Sequence, residues 1–485
     1  MYLGCVSRVL LGIALTAWLL LTVVLPLLSA LEWAGSLALD DAQWQALGRA
    51  WMRGTTLALV VAAISTALAG LLARSVPPLV LLSLLLVSRA IEALGVLAWG
   101  IAPGGLAAGL TLVVDLAPLA ALVVLLRLQT RPLELLESAA DLGAGPWFRA
   151  RTIAWPHLRP AFAVAFVWAL LEVLGDAVAL EIAGGGKLYT PGLLIRDALI
   201  QEFAPARAVV GLLGLLIVAL PCAWLLAGEL RRAESASFRP LPPAPRPLRA
   251  LGLASFAALA AIPLALIVGE HPVGLGPRDF MLARLLGQTS LIAGSVALLA
   301  ALLGFAAAIA LGPASSRVAV GVLVLPLALP ASVFGLLALS VASSLGLSPG
   351  TSLTLLALLP QALALGFLVA RVLSSVVPRV LIDAAADLGA SGLDRLRLIW
   401  LPLGRPAMWI SFAVVFTWVL GQAATPAFTS GPGGDTLALG LAIMARGGSL
   451  AIVRRWALVI VVVPIALVGL VALARALERR RRRSP

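Results

Sequence analysis

The chain has 485 residues, of which 61% are hydrophobic and only 12% charged, with a mean hydropathy of +1.08 and a net charge of +13. That balance excludes a water-soluble globular domain and describes an integral membrane protein. A nucleic-acid surface is excluded as well, because Lys187 is the only lysine and the arginines fall in particular connecting segments instead of on an aromatic-studded face.

Apolar runs long enough to cross about 30 Å of hydrocarbon recur at roughly 8–31, 54–73, 78–100, 105–126, 161–183, 208–228, 250–269, 288–312, 318–345, 351–374, 407–428 and 452–474. They predict an all-α membrane protein of twelve transmembrane helices, six per half. The first run starts close to Met1, is too long for a removable signal peptide and reads as a retained anchor. Trp33, Trp44 and Trp51 follow it and are expected at the outer interface. In the third run Arg89 and Glu92 are spaced i, i+3 and are expected to neutralise each other, while Asp115 stands in the fourth with no evident partner. In the fifth run Glu172 and Asp176 are spaced i, i+4, so a helix puts both on one face, and intramembrane carboxylates mark function. Cys222 in the sixth run and Cys5 near the start offer no CxxC, no plausible disulfide and no metal site.

A proline- and arginine-rich stretch at 231–249 has the composition of an extended, solvated linker. It divides the chain into a first unit, 1–230, and a second, 250–485. An even number of spans returns the chain to its starting side, so the units form a parallel repeat with a pathway expected between them. If the segments 127–160 and 371–406 lie in the cytoplasm, that side also receives Arg8, Arg74, the arginines of the linker and the tail Arg479 to Arg483. The positive-inside asymmetry then places both termini in the cytoplasm.

One polar segment occurs twice, 246 positions apart. Glu137, Ala139, Ala140, Gly143, Arg149, Arg151, Ile153, Pro156 and Arg159 are matched by Asp383, Ala385, Ala386, Gly389, Arg395, Arg397, Ile399, Pro402 and Arg405, and 12 of the 24 aligned positions from 137 and 383 are identical. The pattern predicts a short helix, a glycine-centred turn, a second helix opened by Pro146 in the first copy, and a proline just before the next span. Topology alone would not preserve such spacing, so the segment reads as a docking surface used twice.

The spacing Glu-x-Ala-Ala-x-x-Gly, nine residues, Ile-x-x-Pro resembles the EAA loop of permease subunits of bacterial ATP-driven importers that work with an extracytoplasmic solute-binding protein. Two loops in one chain resemble the fused permeases of ferric-iron and thiamine uptake. The resemblance implies coupling loops over 131–160 and 377–406, with Gly143 and Gly389 at their turns, docking on two copies of an ATP-binding subunit. It implies ATP and Mg bound by those partners, no cofactor and no metal on this chain, a solute-binding protein on the outer side, and residence in the bacterial inner membrane. The sequence departs from the family pattern at Ser138, Trp155 and Asp383.

No nucleotide loop is visible, since Gly186-Lys187 is followed by Leu188 and lacks the earlier glycine that a phosphate cradle requires, so the chain is expected not to be an enzyme. In the repeat Asp176 aligns with Gln422, and Glu172, Asp176 and Gln422 are the candidate pathway residues, the two acids suiting a cation such as ferric iron or thiamine. The competing class is a secondary transporter of twelve helices driven by an ion gradient, which explains the carboxylates but not the paired loops. A membrane scaffold explains neither.

Overall fold

The computed structural model describes residues 14–35, 37–85, 87–129, 132–186, 188–234, 244–266, 276–311, 316–374, 379–431, 435–446, 451–462 and 466. Among them every regular element is helical. The first half contains α1 (Ala14–Ala34), α2 (Asp41–Ser75), α3 (Pro78–Leu85), α4 (Arg89–Ala98), α5 (Gly105–Gln129), α6 (Leu133–Asp141), α7 (Pro146–Arg149), α8 (Trp155–Gly175), α9 (Val178–Ala183), α10 (Pro191–Ile200) and α11 (Pro205–Glu234). The second contains α12 (Arg246–Ala265), α13 (Pro277–Leu311), α14 (Arg317–Ala328), α15 (Ala331–Ser344), α16 (Thr351–Ser374), α17 (Arg379–Asp387), α18 (Gly392–Arg395), α19 (Leu401–Leu420), α20 (Pro426–Thr429) and α21 (Leu437–Arg446), followed by helix at 451–462.

Each half is built on the same trio. The 35-residue α2 packs on α5 and α8, and the 35-residue α13 packs on α16 and α19. Alanine, valine and leucine carry the contacts, and small residues let the backbones approach, as membrane helices require when lipid is as apolar as leucine. Local signals set the starts: the Asp40 carboxylate accepts from the Gln43 amide at 2.6 Å while the Gln43 side chain accepts from the Asp40 amide at 3.1 Å.

The first helix of each half leaves its own trio. α1 packs on α15 of the second half, where Ser340 donates to the Pro26 carbonyl at 3.3 Å and Ser29 meets Ser344. α12 packs on α2 and α4 of the first half, with Ser75 donating to the Leu248 carbonyl and Trp99 to the Ala261 carbonyl. A division at 231–249 therefore separates the sequence but not the packing. The middle of that linker, 235–243, lies outside the described residues.

Four of the twelve apolar runs are not single straight helices among the described residues. The run 78–100 holds two short helices, α3 described to Leu85 and α4 starting at Arg89 after the non-helical Val87 and Ser88, and the run 318–345 bends by 92° between α14 and α15, where Pro330 cannot continue the first helix. The run 161–183 passes from α8 to α9 after Gly175, and the run 407–428 leaves α19 at Leu420. The run 452–474 is described only in part. Nine described helices are long and apolar enough to cross a membrane, ten if the bent pair is one span. Apolar length cannot distinguish a span from a broken, buried segment that lines a cavity.

Candidate functional site

The repeated segments fold alike to the residue. α6 and α17, α7 and α18, the single π-turns at Ala150–Ala154 and Leu396–Trp400, and the first residues of α8 and α19 are each 246 positions apart. Gly143 and Gly389 hold φ of +80° and +81°, a left-handed conformation that costs an L-residue with a side chain roughly 1–2 kcal/mol. The turn closes each helix by paired bonds. Ala144 N–H donates to Ala139 C=O and Gly143 N–H to Ala140 C=O, both at 2.9 Å; Ala390 donates to Ala385 at 2.9 Å and Gly389 to Ala386 at 3.0 Å. The two alanines of each motif thus supply the acceptors of the helix-ending turn. Ile153 and Ile399 are half-buried in the π-turns, Pro156 and Pro402 stand in the first turn of α8 and α19, and Glu137 and Asp383 are exposed on α6 and α17.

The tips are less charged than the sequence suggests. Leu142 and Leu388 are each 88% exposed, beside Trp147 and Phe148 in the first loop and Leu393 and Leu398 in the second. Attention to the arginines misses these apolar tips, although Leu142 and Leu388 are an identical pair in the repeat. The loops also differ: Ser391 and Asp394 form a capping box at the start of α18, where α7 begins from Gly145 with no side-chain cap.

Between the halves lies a cavity of about 490 Å³. Its wall runs from Arg127 and Gln129 at the loop end of α5 to Arg89, Asp115, Glu172, Asp176 and Gln422 deeper in. Asp115 and Gln129 are 14 residues apart on one helix, which makes the depth on the order of 20 Å. Near the loop end Arg127 donates to the His157 carbonyl at 2.9 Å and pairs with Glu229 at 3.6 Å, tying α5, α8 and α11 together beside the first loop.

At depth, Arg89 meets three carboxylates. Its Nε and Nη2 donate to Asp115 Oδ2 at 2.8 and 2.5 Å, Nη2 to Glu172 Oε2 at 3.1 Å and Nη1 to Asp176 Oδ1 at 3.0 Å. This corrects two expectations. Asp115 has a partner, and Arg89 does not pair with Glu92, whose carboxyl oxygens have no hydrogen-bond partner among the described residues although the residue is fully buried. The guanidinium leaves the first turn of α4 toward the acids of other elements, a choice that spacing along one helix cannot reveal. Glu172 and Asp176 do converge, but Asp176 lies just past the end of α8, where its Oδ2 accepts from Ala179 N–H at 2.9 Å.

The wall is unequal. Asp115, Glu172 and Asp176 are matched 246 positions on by Gln361, Trp418 and Gln422, all lining the same cavity. Beyond the network the halves close on each other by reciprocal bonds: Ser88 Oγ donates to the Gly421 carbonyl at 2.8 Å and Ser332 Oγ to the Gly175 carbonyl at 2.9 Å. Gly175 and Gly421 are again equivalent positions, as are Thr190 and Thr436, which donate to the carbonyls of Asp176 and Gln422. Among the described residues no three His, Cys, Asp or Glu side chains are grouped to hold a metal ion.

A duplicated all-helical membrane fold, with a deep cavity between its halves and a matched pair of loops at one end, defines a multi-pass membrane permease. Residues 70–227 and 300–483 each match the binding-protein-dependent transport system inner membrane component, and the chain belongs to that family. Among curated proteins none matches the chain. Membership makes it the non-catalytic membrane component of an ATP-driven importer that works with ATPase and solute-binding partners.

Proposed function

We propose that this chain is a fused permease in which two six-helix units share one solute pathway and two loops couple it to ATP hydrolysis. The observation that carries the reading is the residue-for-residue identity of backbone conformation at 133–156 and 379–402, down to φ of +80° and +81° at Gly143 and Gly389. Two copies of one ATP-binding subunit present two copies of one groove, and a chain that meets both needs the same knob twice. ATP and Mg belong to those subunits. Leu142 and Leu388 at the tips enter the grooves, and each glycine-centred turn holds its tip at a fixed angle.

In this reading the loop end is cytoplasmic, both termini lie on that side, and the solute-binding protein delivers its ligand at the opposite end, where Ser88–Gly421 and Ser332–Gly175 form the closure. The cavity is then the pathway in its inward-open state. The resemblance of the paired loops favours ferric iron or a thiamine-like solute. A carrier driven by an ion gradient would leave the loops without a role.

Purification of the tagged chain from its native membranes in mild detergent, with mass spectrometry of what accompanies it, tests the proposal. A nucleotide-binding subunit in excess over the permease, lost when Gly143 and Gly389 are replaced by valine, is expected. A folded chain recovered alone overturns it.

A further inference from the structure

Acids outnumber bases on the cavity wall: Asp115, Glu172, Asp176 and Glu229 against Arg89 and Arg127. One guanidinium serves Asp115, Glu172 and Asp176 at membrane depth. Glu92, on the next turn of the same helix but outside the cavity lining, is a further acid with no exposure to solvent and no hydrogen-bond partner for either oxygen among the described residues. Carboxylates taken out of water are costly unless opposite charge and hydrogen bonds reach them. The side chain of Asp176 is 1% exposed, whereas those of Asp115 and Glu172 keep 12% and 17% and line the cavity. Charge supplied from the cavity would therefore act on those two.

The opposite wall is equipped for a related task. Gln361 is 4% exposed and lines the cavity; its Nε2 donates to the Leu329 carbonyl at 2.7 Å, and its Oε1 has no partner among the described residues. It is an acceptor held in place by its own amide. Trp168 and Trp418 line the same space, and indole faces attract cations. A volume of about 490 Å³ falls within the usual range for small-molecule sites.

We propose that this cavity binds one small organic cation bearing N–H donors, which shares Asp115 and Glu172 with Arg89 and is flanked by Trp168 and Trp418. The proposal rests on the permease reading and narrows its solute. The acids already accept N–H bonds from a planar cation, Arg89, so the local geometry suits that chemistry. An anion would face three carboxylates that share one guanidinium, and a neutral sugar would add no charge to theirs. A bare metal ion would find no grouped ligands among the described residues. There is one site and not two, because the second repeat carries glutamine and tryptophan where the first carries acids.

The test uses the purified full chain in lipid nanodiscs, with thiamine and agmatine as cationic probes and glucose and citrate as controls, read by tryptophan fluorescence and thermal shift. Saturable binding of at least one of the two cations at one per chain is expected, weakened at least about tenfold in Glu172→Gln and in Asp115→Asn. Gln361→Glu, which adds an acid to the opposite wall, should tighten the same cation and keeps the test decisive if the other variants fold poorly. No saturable response to either cation, or equal binding by the variants, or an equal response to citrate or glucose, overturns the proposal. Recovery of the ATPase from membranes reads the loops and not the cavity. Loss of cation binding with the ATPase retained removes this inference alone, and cation binding with no ATPase removes the coupling reading instead.

Discussion

The two repeats agree where they meet the outside of the molecule at the loops and disagree along the walls of the cavity they enclose. From 133 to 156 and from 379 to 402 the helices begin and end in step, and the glycine turns close on the same pair of alanine carbonyls. Along the cavity, Asp115, Glu172 and Asp176 confront Gln361, Trp418 and Gln422. The proposed coupling accounts for the difference: a loop that docked on each of two like subunits would be constrained twice in the same way, whereas one solute passing between the halves would be free to be held by one wall.

The harshest way to break the matched part is Gly143→Val together with Gly389→Val. Valine is β-branched and unsuited to φ near +80°, and the strain of roughly 1–2 kcal/mol or more at each turn shifts the turn population by a factor of about 5–30. Uptake by the double variant should fall to background while membrane content, measured by quantitative immunoblotting, stays level. If the loops are functionally equal, the single variants should lose similar fractions of activity.

The unequal wall is probed next by Arg89→Ala. Removing the guanidinium strands three carboxylates, and breaking a buried network of this kind costs about 3–5 kcal/mol. Gln361→Ala removes one neutral bond to the Leu329 carbonyl and should cost about 1–3 kcal/mol. Thermal unfolding in a fixed detergent checks both. Equal losses would mean that the charges contribute no more than their neutral counterparts.

Much of the loop geometry was legible in the sequence, because a repeat preserved at 12 of 24 positions exposes its own constraints. Glycine at the turn, alanines before it and proline after it each have a local cause. The cavity was legible only in outline. Glu172, Asp176 and Gln422 line it, yet the partner that unites the two acids is Arg89, which spacing along a helix pairs with Glu92. Which carboxylate a long side chain reaches depends on how α4, α5 and α8 pack, and periodicity within one helix carries no such information. The same limit hid the exchange of α1 and α12 between the halves, since an apolar run does not state which neighbour covers it.

At the closure the repeats can be set against each other with a single methyl group. A Cβ on Gly175 would lie 1.9 Å from Pro330 Cγ, whereas one on Gly421 would lie 3.3 Å from Ser88. Gly175→Ala should therefore force the halves apart and destabilise the closed form by about 1–3 kcal/mol, with Gly421→Ala milder. Solvent accessibility of the Ser332 region, followed by hydrogen exchange, should rise in the first variant and change little in the second. Similar responses would show that the closure relaxes freely on both sides.

The smallest effect addresses the one place where the loops themselves differ. Ser391 Oγ accepts from the Asp394 amide at 3.2 Å, and Asp394 accepts from the Ser391 amide at 3.0 Å, so α18 starts with a reciprocal cap. Gly145 provides nothing comparable for α7. Ser391→Ala should cost the second loop about 1 kcal/mol, seen as faster amide exchange over 391–395 with the first loop unchanged. Gly145→Ser should slow exchange over 145–149 if the new hydroxyl caps α7 in the same way. Should Ser391→Ala leave exchange unaltered, the cap contributes nothing beyond what the following π-turn and α19 already impose, and the two loops are equivalent in rigidity as well as in shape.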